Sequence, residues 1–92
     1  MSPYINFSQA LELLKTGLKV TRDGWNGKGM FLVYVPGTAK VKLNEGSPYH
    51  NAGLTAVDIN PHIDMLTATG EMQPGWLASQ TDMLAFDWEL VE

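Results

Sequence analysis

The stretch NFSQALELLKTG, residues 6–17, followed by LKVTR, residues 18–22, decides the fold. Phe7, Ala10, Leu11 and Leu14 fall at i, i+3, i+4 and i+7, a single helical stripe. Asn6 stands where a cap is needed, and Gln9, three residues on, completes a capping box. Gly17 supplies a left-handed stop, so a helix is expected from about Phe7 to Thr16. Leu18, Val20 and Arg22 then alternate with Lys19 and Thr21, the period of a half-buried strand. Together they predict an α+β fold with the N-terminal helix packed on a twisted, mostly antiparallel sheet.

Working outward, residues 23–29 (DGWNGKG) hold three glycines and an Asn-Gly pair, a strong hairpin signal. Residues 30–35 (MFLVYV) are apolar on both faces, and such a strand needs two covers. The helix supplies one, and a partner chain is expected to supply the other. From Pro36 to Pro61 the pattern dissolves into a long central loop, with a brief strand-like interval at Lys40–Leu43. His62–Leu66 reads as a strand, and a short strand is expected to end at Trp76–Leu77. Ser79 caps a short second helix with Asp82 at N3, expected to carry Met83 and Leu84 inward. Phe86–Val91 closes the sheet, with Trp88 and Leu90 on one face. Tyr4, Phe7, Phe31, Phe86 and Trp88 are assigned to the core.

Ninety-two residues and 10.1 kDa suit one domain, residues 1–92. A compact chain of this mass exposes about 5,300 Å², against about 14,600 Å² unfolded. Hydrophobic residues make up 45% and charged ones 17%, which excludes disorder. So few charges leave apolar surface for another copy to cover. A net charge of −4 offers no basic field for a nucleic-acid polymer, although a small nucleotide needs only local donors. The absence of cysteine removes disulfide, thiolate and cysteine–zinc chemistry. No apolar run is long enough to span a membrane, and the first residues lack a signal peptide's pattern. A cytosolic chain is expected.

Catalysis has no motif here: neither a nucleophile elbow nor a phosphate loop occurs. His62 and Asp64 share a strand face, but two ligands do not make a metal site, and a histidine packed beside a carboxylate is the plainer reading. Asp64, Asp82 and Asp87 carry no spacing that marks an acid–base pair. Binding has more support. Trp25 beside Arg22 and Lys28 suits base stacking and phosphate neutralisation. Trp25 as a lid on the core, and Arg22 as a snorkelling strand end, are the structural alternatives. Trp76 precedes Ser79-Gln80-Thr81-Asp82, a helix start whose amides receive an anion or are simply capped.

Residues 6–17 and 20–30 (VTRDGWNGKGM), then 61–65 (PHIDM), 76–82 (WLASQTD) and 84–88 (LAFDW), resemble the second type of phage Thoeris anti-defence family in content and order. The match runs from Asn6 onward, with residues 36–60 the least similar. The resemblance implies a sponge rather than an enzyme. Members bind the cyclic ADP-ribose isomer that Thoeris defence makes as an alarm signal, without degrading it. It also implies homotetramers with pockets between protomers, some relatives holding cyclic oligonucleotides elsewhere, and no cofactor. On matching motifs, Trp25 and Asn26 would line the pocket from the hairpin, and Asp64, Trp76, Ser79, Gln80 and Asp82 from the C-terminal half. Arg22 or Lys28 would meet pyrophosphate. Two alternatives stay open: a metal-dependent nucleotide hydrolase built on His62 and Asp64, and a structural phage protein with no small ligand.

Overall fold

Asn6 caps the first helix as its spacing requires. Its side chain accepts the Gln9 amide at 2.8 Å, and its own amide donates to Gln9 Oε1 at 3.0 Å. The computed structural model describes residues 3–25 and 28–92; the expected Asn-Gly hairpin pair, Asn26 and Gly27, lies outside them. Helix α1 spans Phe7–Lys15. It ends in a left-handed Gly17, with the Gly17 and Leu18 amides returning to the Leu14 and Leu13 carbonyls. Ala10 and Leu14 are fully buried on its inner face.

The strands are β1 (Lys19–Arg22), β2 (Phe31–Val35), β3 (Thr38–Lys42), β4 (Ala56–Ile59), β5 (His62–Leu66), β6 (Met72–Gln73) and β7 (Trp88–Val91). Five form one antiparallel sheet in the order β6-β5-β2-β1-β7. Val20 pairs with Leu32 and Leu90, Arg22 with Trp88, and Tyr34 with Ile63, so these residues share the face under α1. Ala10, Leu14, Val20, Leu32 and Trp88 make the core. Truncating a side chain such as Leu14 to alanine costs about 2–5 kcal/mol. The N-terminal strand-like residue Ile5 exchanges two backbone hydrogen bonds with Trp88. Among the described residues, no helix is long and apolar enough to cross a membrane.

Residues 36–61 are not a structureless loop. Strands β3 and β4 pair antiparallel, and a short helix, α2 (Pro48–Asn51), sits at their tip. The Val35–His62 pairing of the main sheet runs on to Thr38–Ile59, which sets Pro36 opposite Pro61. Neither proline has an amide to donate, so the ladder breaks there and resumes beyond. The register then slips by one residue before Val41–Val57, where Lys40 takes a left-handed φ of 55° and its amide donates to the Asp58 carboxylate at 2.8 Å. Prolines, a bulge and an apical helix together hide the strand alternation. The resulting arm stretches the molecule to 52 Å by 25 Å and raises its surface to 6576 Å², above the compact expectation of about 5,300 Å².

Several core assignments are corrected. Helix α3 (Gln80–Leu84) turns Asp82 inward, while Met83 is exposed and Leu84 is 72% exposed. At 100° per residue, Leu84 lies on the far side of a five-residue helix whose phase Asp82 sets. Phe86, at 79%, is also outside, and Tyr4 is exposed with its phenol beside Asp23. Trp76 and Leu77 follow β6 rather than belonging to it. Phe7 and Trp88 are core as expected, and Phe31 is half-buried on the opposite sheet face, under Lys19.

Candidate functional site

Four elements converge on Asp82. Arg22 ends β1 on the α1 side of the sheet, and its Nη1 donates to Asp82 Oδ1 at 2.8 Å. Its Nε donates to Asp87 Oδ1, also at 2.8 Å. The Trp25 indole donates to that same Asp82 Oδ1 at 3.0 Å, and the Trp88 indole to the Asp82 backbone carbonyl at 2.9 Å. Asp82 Oδ2 accepts the Ser79 amide, while Ser79 Oγ accepts the Asp82 amide, closing the α3 capping box. Asp87 Oδ2 takes the Gly24 amide at 2.7 Å.

Burial acts to raise the Asp82 carboxyl, but bonds from Trp25, Arg22 and Ser79 outweigh it and hold it below the ordinary range. Arg22, opposed by partial burial and helped by the Gly24 amide, likewise holds Asp87 low. Asp87, with Asp82, raises Arg22 further, so the guanidinium is permanently charged and already neutralised. Three indoles pack edge to face over this network. Trp25 meets Trp88 edge-on at 5.3 Å between ring centroids, and Trp76 lies 6.2 Å from each.

Two clefts flank the indoles. The larger, about 580 Å³, opens beside the end of β1 and the start of β2 and includes Arg22, Trp25, Lys28 and Phe31, with Asp23 and Glu89 in its wall. The second, about 410 Å³, lies on the other side of Trp76, between the end of α1 and the root of the arm. Among the described residues Lys28 is an exposed cation with no ion pair.

This arrangement sits on a chain with known relatives. A family model for the Thoeris anti-defense 2-like domain matches residues 5–91. The chain is also 34% identical, over 99% of both sequences, to "Thoeris anti-defense 2" of Bacillus phage SP01. The chain belongs to the Thoeris anti-defense 2-like family.

In this family member the nine expected site residues divide. Arg22, Trp25, Ser79 and Asp82 form one bonded unit, with Trp76 joined to it through its ring. Lys28 lines the larger cleft together with Arg22 and Trp25. Asn26 lies outside the described residues. Gln80 is exposed at the start of α3, where the capping box engages the amides of Ser79 and Asp82. Asp64 is elsewhere on the sheet, where its Oδ1 accepts the Gly75 amide at 2.9 Å and lies 3.5 Å from His62 Nε2. His62 Nδ1 faces the Asn60 carbonyl at 2.8 Å, which fixes a proton on that nitrogen. No group of three metal-ligating side chains gathers among the described residues. Sequence reasoning did not anticipate Asp87 as Arg22's second partner. The clue was a lone arginine on an apolar strand face in a chain with an excess of carboxylates.

Proposed function

We propose that this protein is a phage anti-defence sponge. It sequesters a cyclic ADP-ribose-type immune signal in the host cytoplasm without turnover, so the Thoeris effector is never activated. Membership of the Thoeris anti-defense 2-like family supports the anti-Thoeris role. The observation that carries the binding reading is the cleft of about 580 Å³ beside Trp25 and Lys28. It falls within the roughly 300–1,000 Å³ typical of small-ligand sites. Its chemistry is mixed in a way that suits a nucleotide. Trp25 and Phe31 offer ring surface, Lys28 offers a positive charge, and Asp23 and Glu89 offer acceptors for ribose hydroxyls or an adenine amine.

Because Arg22 is neutralised by Asp82 and Asp87, Lys28 is the pyrophosphate contact of this reading, and Arg22 is the post that holds Trp25. One lysine does not balance a pyrophosphate. This supports a pocket completed by a second protomer in a homotetramer. Asp64, Trp76, Ser79 and Gln80 would then act from a neighbouring chain or through the packing of Trp76.

The test is to load purified protein with cyclic ADP-ribose isomers, remove free ligand, denature and analyse the released nucleotide by mass spectrometry. Intact cyclic nucleotide in stoichiometric amount is expected. Recovery of a linear product would instead favour hydrolysis at His62 and Asp64, and no retained nucleotide would favour a structural role.

A further inference from the structure

Arg22 is held by Asp82 and Asp87, so a pyrophosphate in the larger cleft meets Lys28 and still lacks a second positive charge. The sheet face turned away from α1 carries one. Strand alternation puts Lys19 and Thr21 of β1 on that face, opposite in direction to the buried Val20. Thr21 pairs with Glu89 of β7, and the Val20–Leu32 pairing brings Phe31 of β2 to its other side. Thr21, Phe31 and Glu89 all line the larger cleft. Lys19 comes next along the same face, paired with Val91, and its Nζ rests 4.9 Å from the centre of the Phe31 ring. Lys19 is half-buried and, among the described residues, has no ion pair; its diagonal neighbour Glu89 is beyond ion-pair distance.

We propose that Lys19 is the second phosphate-binding cation of the larger cleft, released from Phe31 when a ring of the ligand takes its place there. The proposal rests on the sponge reading above and deepens it by naming a further binding residue. The face of Phe31 that holds the ammonium cannot hold a purine at the same time. Displacing the ammonium costs a cation–π contact, which at a partly exposed site is weaker than a charge-assisted contact to a phosphate oxygen. The exchange is therefore favourable for a ligand that brings both a ring and a phosphate. A nucleoside evicts the lysine and offers it no anion; bare pyrophosphate attracts it but leaves the ring uncovered. The Lys19 backbone stays fixed in the ladder with β7, while its flexible four-carbon stem lets the ammonium move. Arg22, forked between two carboxylates, has no such freedom. Lys19 and Lys28 together match the two charges of a pyrophosphate, and a neighbouring protomer would complete the walls around it.

Two variants and one spectrum test this. Lys19→Met removes the charge and keeps an unbranched stem on Phe31; Lys19→Arg keeps both the charge and the ring contact. In calorimetry with a cyclic ADP-ribose isomer, Lys19→Met is expected to bind about tenfold more weakly or worse, and Lys19→Arg within about threefold of wild type. Melting curves of all three proteins should coincide. Added salt should weaken wild type more than Lys19→Met, because only the ionic contact is screened. In the spectrum of the wild-type protein, the ring should shield the Lys19 ε-methylene protons and move them upfield. Saturating nucleotide should shift them back, a readout that needs no variant. Equal affinities for wild type and Lys19→Met, or methylene signals that stay in place at saturation, overturn the assignment and leave nucleotide capture standing. A wild-type protein that retains no nucleotide overturns the sponge reading, and the assignment with it.

Discussion

A single oxygen, Asp82 Oδ1, accepts both the Arg22 guanidinium at 2.8 Å and the Trp25 indole at 3.0 Å. It ties the turn after β1 to α3 across about sixty residues of chain, and so the tryptophan next to the larger cleft is held by a carboxylate that faces away from solvent. Replacing Asp82 by alanine leaves Arg22 with one carboxylate, orphans the Trp25 N–H and removes half of the α3 capping box. A loss of about 3 kcal/mol is expected, a large part of a small domain's stability. Urea unfolding measures it; a midpoint within error of wild type would show the network to be incidental.

Acid should weaken the fold through the same pair. Asp82 and Asp87 have folded values below the ordinary carboxylate range, so their stabilisation is complete above the unfolded value and fades as pH falls through the folded ones. Unfolding midpoints should therefore be flat near neutrality and decline from about pH 4 downward. Arg22→Gln removes the cause of much of that depression, and its midpoint should be lower at neutral pH but less sensitive to acid. Parallel pH profiles would refute this attribution.

Trp25 and Lys28 separate holding from binding. Trp25→Ala removes both a packed ring and a stacking face, so it should lower the melting temperature and weaken ligand capture by about ten- to a hundredfold. Trp25→Phe keeps a ring but loses the bond to Asp82; it should cost about 1 kcal/mol of stability and little affinity. Lys28→Glu should leave the melting curve alone while reducing affinity at least tenfold, since Lys28 is exposed and unpaired among the described residues. Calorimetry beside melting curves reads all three. Unchanged affinity in both Trp25→Ala and Lys28→Glu would move the ligand away from this cleft.

The arm's root should be intolerant of a single methyl group. A Cβ on Gly37 would sit 2.7 Å from the Ile59 carbonyl oxygen and 2.9 Å from the Pro61 ring. Gly37→Ala should thus disturb the β3–β4 ladder more than the main sheet. Hydrogen exchange should show faster arm amides with main-sheet protection retained. Equal acceleration in both would mean that arm and sheet unfold as one unit.

Local signals in the chain were strong enough to determine several elements by themselves. The α1 stripe with its Asn6–Gln9 box and Gly17 stop, the alternation through Arg22 and the Ser79–Asp82 cap each involve partners within a few residues, so neighbouring side chains specify the geometry. The outward position of Leu84 depended instead on the rotational phase of α3, and that phase is decided by Arg22 and Trp25, far away in sequence, drawing Asp82 inward. The arm escaped recognition because two prolines and a one-residue bulge interrupt a ladder that only pairing across the chain makes visible. Which of two cations the carboxylates hold was likewise decided in three dimensions: Arg22 and Lys28 look equivalent along the sequence, but among the described residues Asp82 and Asp87 pair with Arg22 alone.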